Sequence, residues 1–432
     1  MAAMRKLHAW INDSVVGVLS EQAGIWSFTY SAPWLALQSA YPLSPALPLQ
    51  PAPLLDGSSM RPVQWYFDNL LPEENARMLL ARDARLDGND AFALLAYYGS
   101  ESAGSLTLLP PDAVRAADSD VALSDQQLQR RIDSLPAVSL NAESPKRMSL
   151  AGAQHKLPVI YRDGSLYEPA GDTPSTHILK PNHGSVDFRD SVINEYFCMK
   201  LAGACGLPVP AVHRRYVPAP VYLIDRFDRN PHGQRLHSID ACQLLNLDRQ
   251  FKYSAASMGR LAALAGACSV PVSARLRLYN WFVFNLLIGN NDAHLKNLSF
   301  MADAAGIALA PHYDMLSTVV YHTKALGKDI WPDSPLTWPF SGCERVADVT
   351  RASVIAAGTE LGVPPNVASR MLDVQLRQVP LAAQKILAHI EEENTALAGE
   401  RKELALVFGS EMRTLRTIVY LVIADMVAAL KA

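Results

Sequence analysis

The chain has 432 residues, 49% of them hydrophobic and 19% charged, with a formal net charge of -3 and a pI near 6.4. That is the composition of a globular protein with enough apolar material for two or three domains, and it lacks the strongly basic field that holds nucleic acid by phosphate neutralisation. Five cysteines, Cys198, Cys205, Cys242, Cys268 and Cys343, include no C-x-x-C pair, which argues against a zinc site or a disulfide framework and for a reducing cytoplasm.

Residues 1–110 read as a β-rich N-terminal unit. Basic Arg5 and Lys6 are followed by no apolar run, so no signal peptide is expected. Residues 7–20 pattern as two short strands around the turn Asn12-Asp13-Ser14, and residues 25–30 alternate like a third. A proline-rich stretch, 42–62, precedes a helix over 91–98 that closes at Gly99. Residues 111–147 are polar and read as a linker, with a short helix over 126–132. Residues 148–230 read as a small lobe. It has a strand at 157–161, the turn Arg162-Asp163-Gly164, a return strand at 165–167 and another strand at 177–180. A helix over 192–204 carries Val192, Ile193, Tyr196, Phe197 and Leu201 on one face. A buried strand at 221–224 then leads to Asp225-Arg226-Phe227-Asp228-Arg229. Residues 231–432 are mainly helical. The most membrane-like stretch, 417–430, is too short to span a bilayer and carries Asp425, so a packed terminal helix is expected.

The chemistry concentrates in residues 276–318. An apolar helix over 276–288 stops at Gly289, which permits a tight turn. The polar run Asn290-Asn291-Asp292-Ala293-His294-Leu295-Lys296-Asn297 follows, then a hairpin from 298–301 to 307–310, and the chain emerges at Pro311-His312-Tyr313-Asp314. Phosphoryl transfer needs a carboxylate to orient or deprotonate the acceptor hydroxyl, and oxygen ligands to hold Mg²⁺. Asp292 and Asn297 have the D-x-x-x-x-N spacing of a kinase catalytic loop, and Asp314 follows the hairpin as a second metal-binding aspartate would. The spacing alone is common in polar turns; its place between a buried helix, a hairpin and an aspartate gives it weight. Lys180 ends a short strand, as a phosphate-contacting lysine does, and Glu195 on the next helix is placed to pair with such a lysine. The run from Ser149 to Lys156, S-L-A-G-A-Q-H-K, lets backbone N–H groups approach an anion. It matches neither a Walker A loop nor G-x-G-x-x-G, and alone it reads as an ordinary small-residue turn.

Together these segments resemble the HipA family of toxin kinases from bacterial toxin-antitoxin modules. Residues 10–20 resemble its N-terminal β unit, residues 149–156 its S-x-A-G-A-Q-x-K loop, residues 288–299 its catalytic loop, and residues 311–317 its P-x-Y-D-x-L-S element. The resemblance implies an α/β, protein-kinase-like two-lobed fold with a β-rich N-terminal unit, a small ATP-binding lobe and a helical C-terminal lobe. It implies ATP and Mg²⁺ as cofactors, with Asp292 catalytic and Asn297 and Asp314 on the metal. It places Lys180 and His294 at the ATP phosphates, Ala151, Gly152 and Ala153 in the phosphate-covering loop, Asp225 and Phe227 at the adenine hinge, and Tyr313 on the adenine ring. Ser149 is the implied self-phosphorylation site. The implied partners are a protein substrate, for which aminoacyl-tRNA synthetases are a precedent, and a small helix-turn-helix antitoxin that would carry any DNA binding; no membrane is implied. Two positions depart from the family pattern: His155 stands where an acidic residue is usual, and Asp225 where glutamate is. Two other readings stay open: a small-molecule or lipid kinase of related fold, and a catalytically silent antitoxin-binding partner.

Overall fold

The computed structural model describes residues 3–148 and 150–431, so Ser149 lies outside the described residues. The chain forms two compact units. One comprises the residues up to 181 together with 223–252 and 299–310; the other comprises 182–222, 253–298 and the residues from 311 on.

The first unit opens with β1 (Arg5–Ile11), β2 (Ser14–Gln22) and β3 (Ile25–Tyr30). Leu7, Ala9 and Ile11 on β1 and Trp26, Phe28 and Tyr30 on β3 are buried, the two-residue period of a half-covered sheet. Asn12 turns the β1–β2 hairpin with a left-handed φ of 51°, a conformation asparagine tolerates. After α1 (Ala32–Leu35) the proline-rich stretch runs to β4 (Leu54–Leu55). Tyr30 pins it: the hydroxyl donates to the Leu47 carbonyl at 2.6 Å and accepts from the Leu43 N–H at 2.9 Å. Then come α2 (Pro62–Asp68), α3 (Glu74–Ala84), α4 (Ala91–Tyr98) and β5 (Leu106–Leu109). Asp90 caps α4 by accepting from the Ala93 N–H, and Gly99 follows its last residue. The five strands are ordered β4-β3-β2-β1-β5.

The stretch 111–147, which reads as a linker, is built into this unit. It contributes β6 (Ser119–Ala122) and α5 (Asp125–Asp133), the latter started by a capping box between Ser124 and Gln127. Beyond it lie β7 (Leu157–Arg162), β8 (Ser165–Ala170) and β9 (His177–Pro181). β6 pairs antiparallel with β8. Arg131 on α5 forks onto Glu168 on β8 at 2.7 and 2.8 Å, both side chains buried. A bidentate pair of this kind fixes geometry as well as charge.

The chain leaves for the second unit with α6 (Ser191–Ala204) and β10 (Val212–Tyr216). It re-enters the first unit within β11 (Pro220–Asp225), whose end edges β9 to give the order β11-β9-β7-β8-β6. β12 (Ser238–Asp240) and α7 (Ala241–Leu244) follow. α8 (Met258–Gly266) and α9 (Pro271–Ile288) belong to the second unit, and β13 (Ser299–Asp303) and β14 (Gly306–Leu309) return to the first as the sheet β12-β13-β14.

The second unit ends the chain. Its strands β15 (Pro335–Phe340) and β16 (Cys343–Arg345) form a hairpin inside the region that reads as helical. α10 (Arg351–Glu360), the 36-residue α11 (Pro365–Glu400), α12 (Ala405–Thr417) and α13 (Ala424–Lys431) are helical as expected. Between the last two lies a π-helical stretch, Ile418–Ile423, with Ile418, Val419, Val422 and Ile423 buried. Among the described residues no helix is long and apolar enough to cross a membrane. All five cysteines are buried free thiols.

Candidate active site

α9 delivers the chain to the site. It buries Trp281, Phe282, Phe284 and Ile288, and it ends at Gly289 with φ 65°. A Cβ there would run into the Val319 side chain, so glycine is required by space as well as by conformation. The Gly289 carbonyl accepts from the N–H groups of Thr318 and Val319, each at 3.0 Å. That ties the start of the polar loop to the chain just beyond Asp314.

The loop holds Asp292 by its backbone. The Asn290 side chain accepts from the Asp292 N–H at 3.0 Å, and the Asn297 amide nitrogen donates to the Asp292 carbonyl at 2.9 Å. Residues Leu295–Asn297 form a 3₁₀ turn. Asn297 thus commits its amide nitrogen to the loop, and its amide oxygen is the atom it has for a cation. The Tyr253 hydroxyl donates to Asp292 Oδ1 at 2.6 Å, and the Tyr253 ring meets His294 edge-on with centroids 4.9 Å apart.

Asp314 adopts φ 57°. A left-handed backbone in a non-glycine residue costs energy that the surroundings must supply, and such residues concentrate at functional sites. The surroundings are specific. The His312 N–H donates to the Pro208 carbonyl at 2.8 Å, and its ring stacks on Trp281 at 6.2 Å. Burial, helped by Arg277, pushes the His312 pKa down to about 3, so the ring is neutral. Tyr313 donates through its hydroxyl to the Lys296 carbonyl at 2.8 Å. Asn194 on α6 clamps Ser317: its amide nitrogen donates to the Ser317 carbonyl and its amide oxygen accepts the Ser317 N–H, both at 2.9 Å.

Sequence reading missed Asn194, Tyr253 and the β15 hairpin. The hairpin supports the loop from below: the Thr337 hydroxyl donates to the Asn291 carbonyl at 2.5 Å and the Trp338 indole N–H to the Ala293 carbonyl. No local pattern announces these contacts, because their partners lie 46 and 45 residues away along the chain.

Asp292, His294, Asn297, Tyr313 and Asp314 all belong to the second unit; Ala151, Gly152, Ala153, Lys180, Asp225 and Phe227 belong to the first. In the first unit the small-residue loop is folded on itself. Lys156 Nζ donates to the Ala151 carbonyl at 2.6 Å. Gly152 has φ 110°, and a Cβ there would sit 2.6 Å from Lys156 Nζ. The Gly152 carbonyl accepts from the Glu73 N–H at 3.2 Å. Gln154 donates to the Pro181 carbonyl at 3.3 Å, beside buried Lys180 at the end of β9. Asp225 Oδ1 lies 2.9 Å from His177 Nε2, and Phe227 is half-buried.

The segment bearing Asp225 and Phe227 is anchored by its other charged residues. Arg226 donates to Glu101 at 3.1 Å, Arg229 donates to it at 3.0 Å, and Lys146 joins them at 3.2 Å. Arg226 also forks onto Asp228 at 2.9 and 2.6 Å. Glu101 is wholly buried. Burial alone would raise its pKa, but Lys146, Arg229, Arg226 and Arg235 outweigh that and hold it well below the usual carboxylate range.

A buried helix, a loop presenting aspartate and asparagine, and a strained aspartate after a hairpin follow one another in the order that a protein kinase's catalytic core uses. Comparison with known proteins gives the class, a serine/threonine-protein kinase. Residues 148–382 match the family model of the HipA-like C-terminal domain, and residues 7–109 that of the HipA N-terminal domain. The "Putative kinase Y4mE" of Sinorhizobium fredii is 36% identical over 341 residues, covering 74% of this chain and 78% of that protein. The "Serine/threonine-protein kinase toxin HipA" of Shewanella oneidensis is 31% identical over 342 residues, covering 73% and 76%. A solved structure of Shewanella oneidensis HipA with HipB and operator DNA superposes with a TM-score of 0.76 at 25% identity, covering 98% of this chain and 99% of that one. The chain belongs to the HipA family.

Proposed function

We propose that this kinase is a toxin that moves the γ-phosphoryl group of Mg-ATP to a serine of a bacterial protein and to its own Ser149, in the cytoplasm, where its buried thiols stay reduced. The observation that carries the reading is the loop from Gly289 to Asn297, which holds Asp292 by its backbone between two asparagine amides. The residues fit Mg-ATP. Asn297 has an amide oxygen to give and Asp314 a carboxylate, the hard oxygen donors that Mg²⁺ prefers. Bound Mg-ATP supplies the transferable phosphoryl group. Asp292 accepts the proton of the acceptor hydroxyl and orients its oxygen. Lys180 and His294 are assigned to the phosphates, Ala151, Gly152 and Ala153 to the loop over them, and Asp225, Phe227 and Tyr313 to the adenine. Incubation of the full chain with γ-labelled Mg-ATP and bacterial lysate is expected to put label on protein serine. Asp314→Ala should keep the fold, lose calorimetric affinity for Mg-ATP and abolish labelling. Undiminished affinity in that variant would move the metal site elsewhere.

The same reading includes a small helix-turn-helix antitoxin as partner, supported by the Shewanella oneidensis complex and by a net charge of -3 that gives this chain little attraction for DNA alone. Co-expression with such a protein should yield a complex that binds operator DNA. Tight operator binding by this chain alone would overturn that division of labour.

A further inference from the structure

Tyr253 lies ahead of α8, in a turn where its carbonyl accepts from the Ala256 N–H at 2.9 Å. Its side chain is 43% exposed. The hydroxyl nevertheless donates to Asp292 Oδ1 at 2.6 Å. A general base must lie about 2.6–3.2 Å from the atom whose proton it takes, so the phenol stands where an acceptor hydroxyl would stand. That hydrogen bond and an edge contact with His294 are among the contacts of its side chain, which sits on a turn and not in a helix. A rotation about its side-chain bonds withdraws it without disturbing α8 or α9.

We propose that Tyr253 covers Asp292 until a protein acceptor displaces it, and so selects a protein hydroxyl over water. The inference rests on Asp292 being the base. Water and serine compete for the same step: the attacking oxygen bonds to the γ-phosphorus, the bond to the β,γ-bridging oxygen breaks with its electron pair leaving on ADP, and the attacker's proton passes to Asp292. Water yields inorganic phosphate and serine yields phosphoserine. Water offers one hydrogen bond in exchange for the phenol and gains nothing elsewhere. A protein brings binding energy from contacts remote from the reacting oxygen, and that energy offsets the displacement. The cover therefore slows hydrolysis more than transfer.

The test is Tyr253→Phe, which keeps the ring beside His294 and removes the hydroxyl. The full-length variant is incubated with γ-labelled Mg-ATP and no other protein, and inorganic phosphate is measured against label on the chain. A hydrogen bond to an ionised group is worth enough to change a rate about tenfold. Phosphate release is expected to rise by about that factor, and the ratio of label incorporated to phosphate released should fall. A merely structural tyrosine would lower both together and leave the ratio unmoved, which overturns the proposal, as does unchanged release. The double variant Tyr253→Phe, Asp292→Asn separates the premises. Release should drop to the level of Asp292→Asn alone; persistence at the raised level means that Asp292 is not the base. An inactive Asp292→Asn beside an unaltered Tyr253→Phe removes only the role given to Tyr253.

Discussion

Asp292→Asn is expected to fold like the parent and to transfer phosphate roughly 10²- to 10⁴-fold more slowly, the usual contribution of a positioned general base. The separation of fold from activity follows from how the residue is held. Its N–H bonds to the Asn290 side chain and its carbonyl to the Asn297 side chain, and neither bond uses the carboxylate. The preceding turn is fixed by Gly289 and by the carbonyl that receives Thr318 and Val319. An asparagine of the same shape leaves all of this in place. It still accepts from Tyr253 through its amide oxygen, so even that contact survives. What it removes is the capacity to take a proton from the acceptor. Single-turnover labelling with saturating Mg-ATP, together with a thermal melt, measures both halves. A variant with the parent melting temperature and the parent rate would place the base on another residue.

The sequence announces this site where the information is local. The end of α9 at Gly289, the spacing of Asp292 and Asn297, and the hairpin of β13 and β14 before Asp314 all lie within 30 residues and obey turn chemistry and periodicity. α4 is equally legible, since Asp90 and Gly99 flank an unbroken apolar run. The supports of the site are not local. Asn194 clamps a residue 123 positions away, and Arg226 meets Glu101 across 125; no spacing rule reaches that far. β15 hides for another reason. It carries Pro335 and Pro339 and pairs with three-residue β16, and prolines in a short run argue against a strand. The polar stretch 111–147 misleads because its anchoring depends on Arg131 meeting Glu168 of β8, and an arginine on a polar helix reads as solvated. Local pattern gives the candidate residues of the site; long-range pairing gives the frame that holds them.

That frame yields the second large expectation. Glu101→Gln should destabilise the first unit by about 3–5 kcal/mol, the cost of stripping one partner from a buried ion pair, and lower its melting temperature by about 10 °C. Four cations, Lys146, Arg226, Arg229 and Arg235, lie within 4.0 Å of Glu101, and Asp228 is the other carboxylate that Arg226 and Arg229 share. Glutamine keeps the shape and can still accept from the Ser175 N–H, which now donates to Glu101 at 3.0 Å. It cannot balance the charge. Buried cations without a counter-ion repel one another at low dielectric, and the segment carrying Asp225 and Phe227 is where the strain falls, since Arg226 and Arg229 belong to it. Nucleotide affinity should drop with stability for that reason. Removing a cation should restore part of the loss, so Glu101→Gln with Lys146→Gln is expected to melt higher than Glu101→Gln alone. The pH dependence has a definite sign. The folded-state pKa of Glu101 is depressed, so its contribution is complete above the ordinary glutamate pKa and is lost as pH falls toward the depressed value. The parent should therefore lose its advantage over Glu101→Gln in acid and keep it at neutral pH. Equal denaturant midpoints for the two proteins at pH 7 would show that the charge balance around Glu101 does not hold this part of the fold.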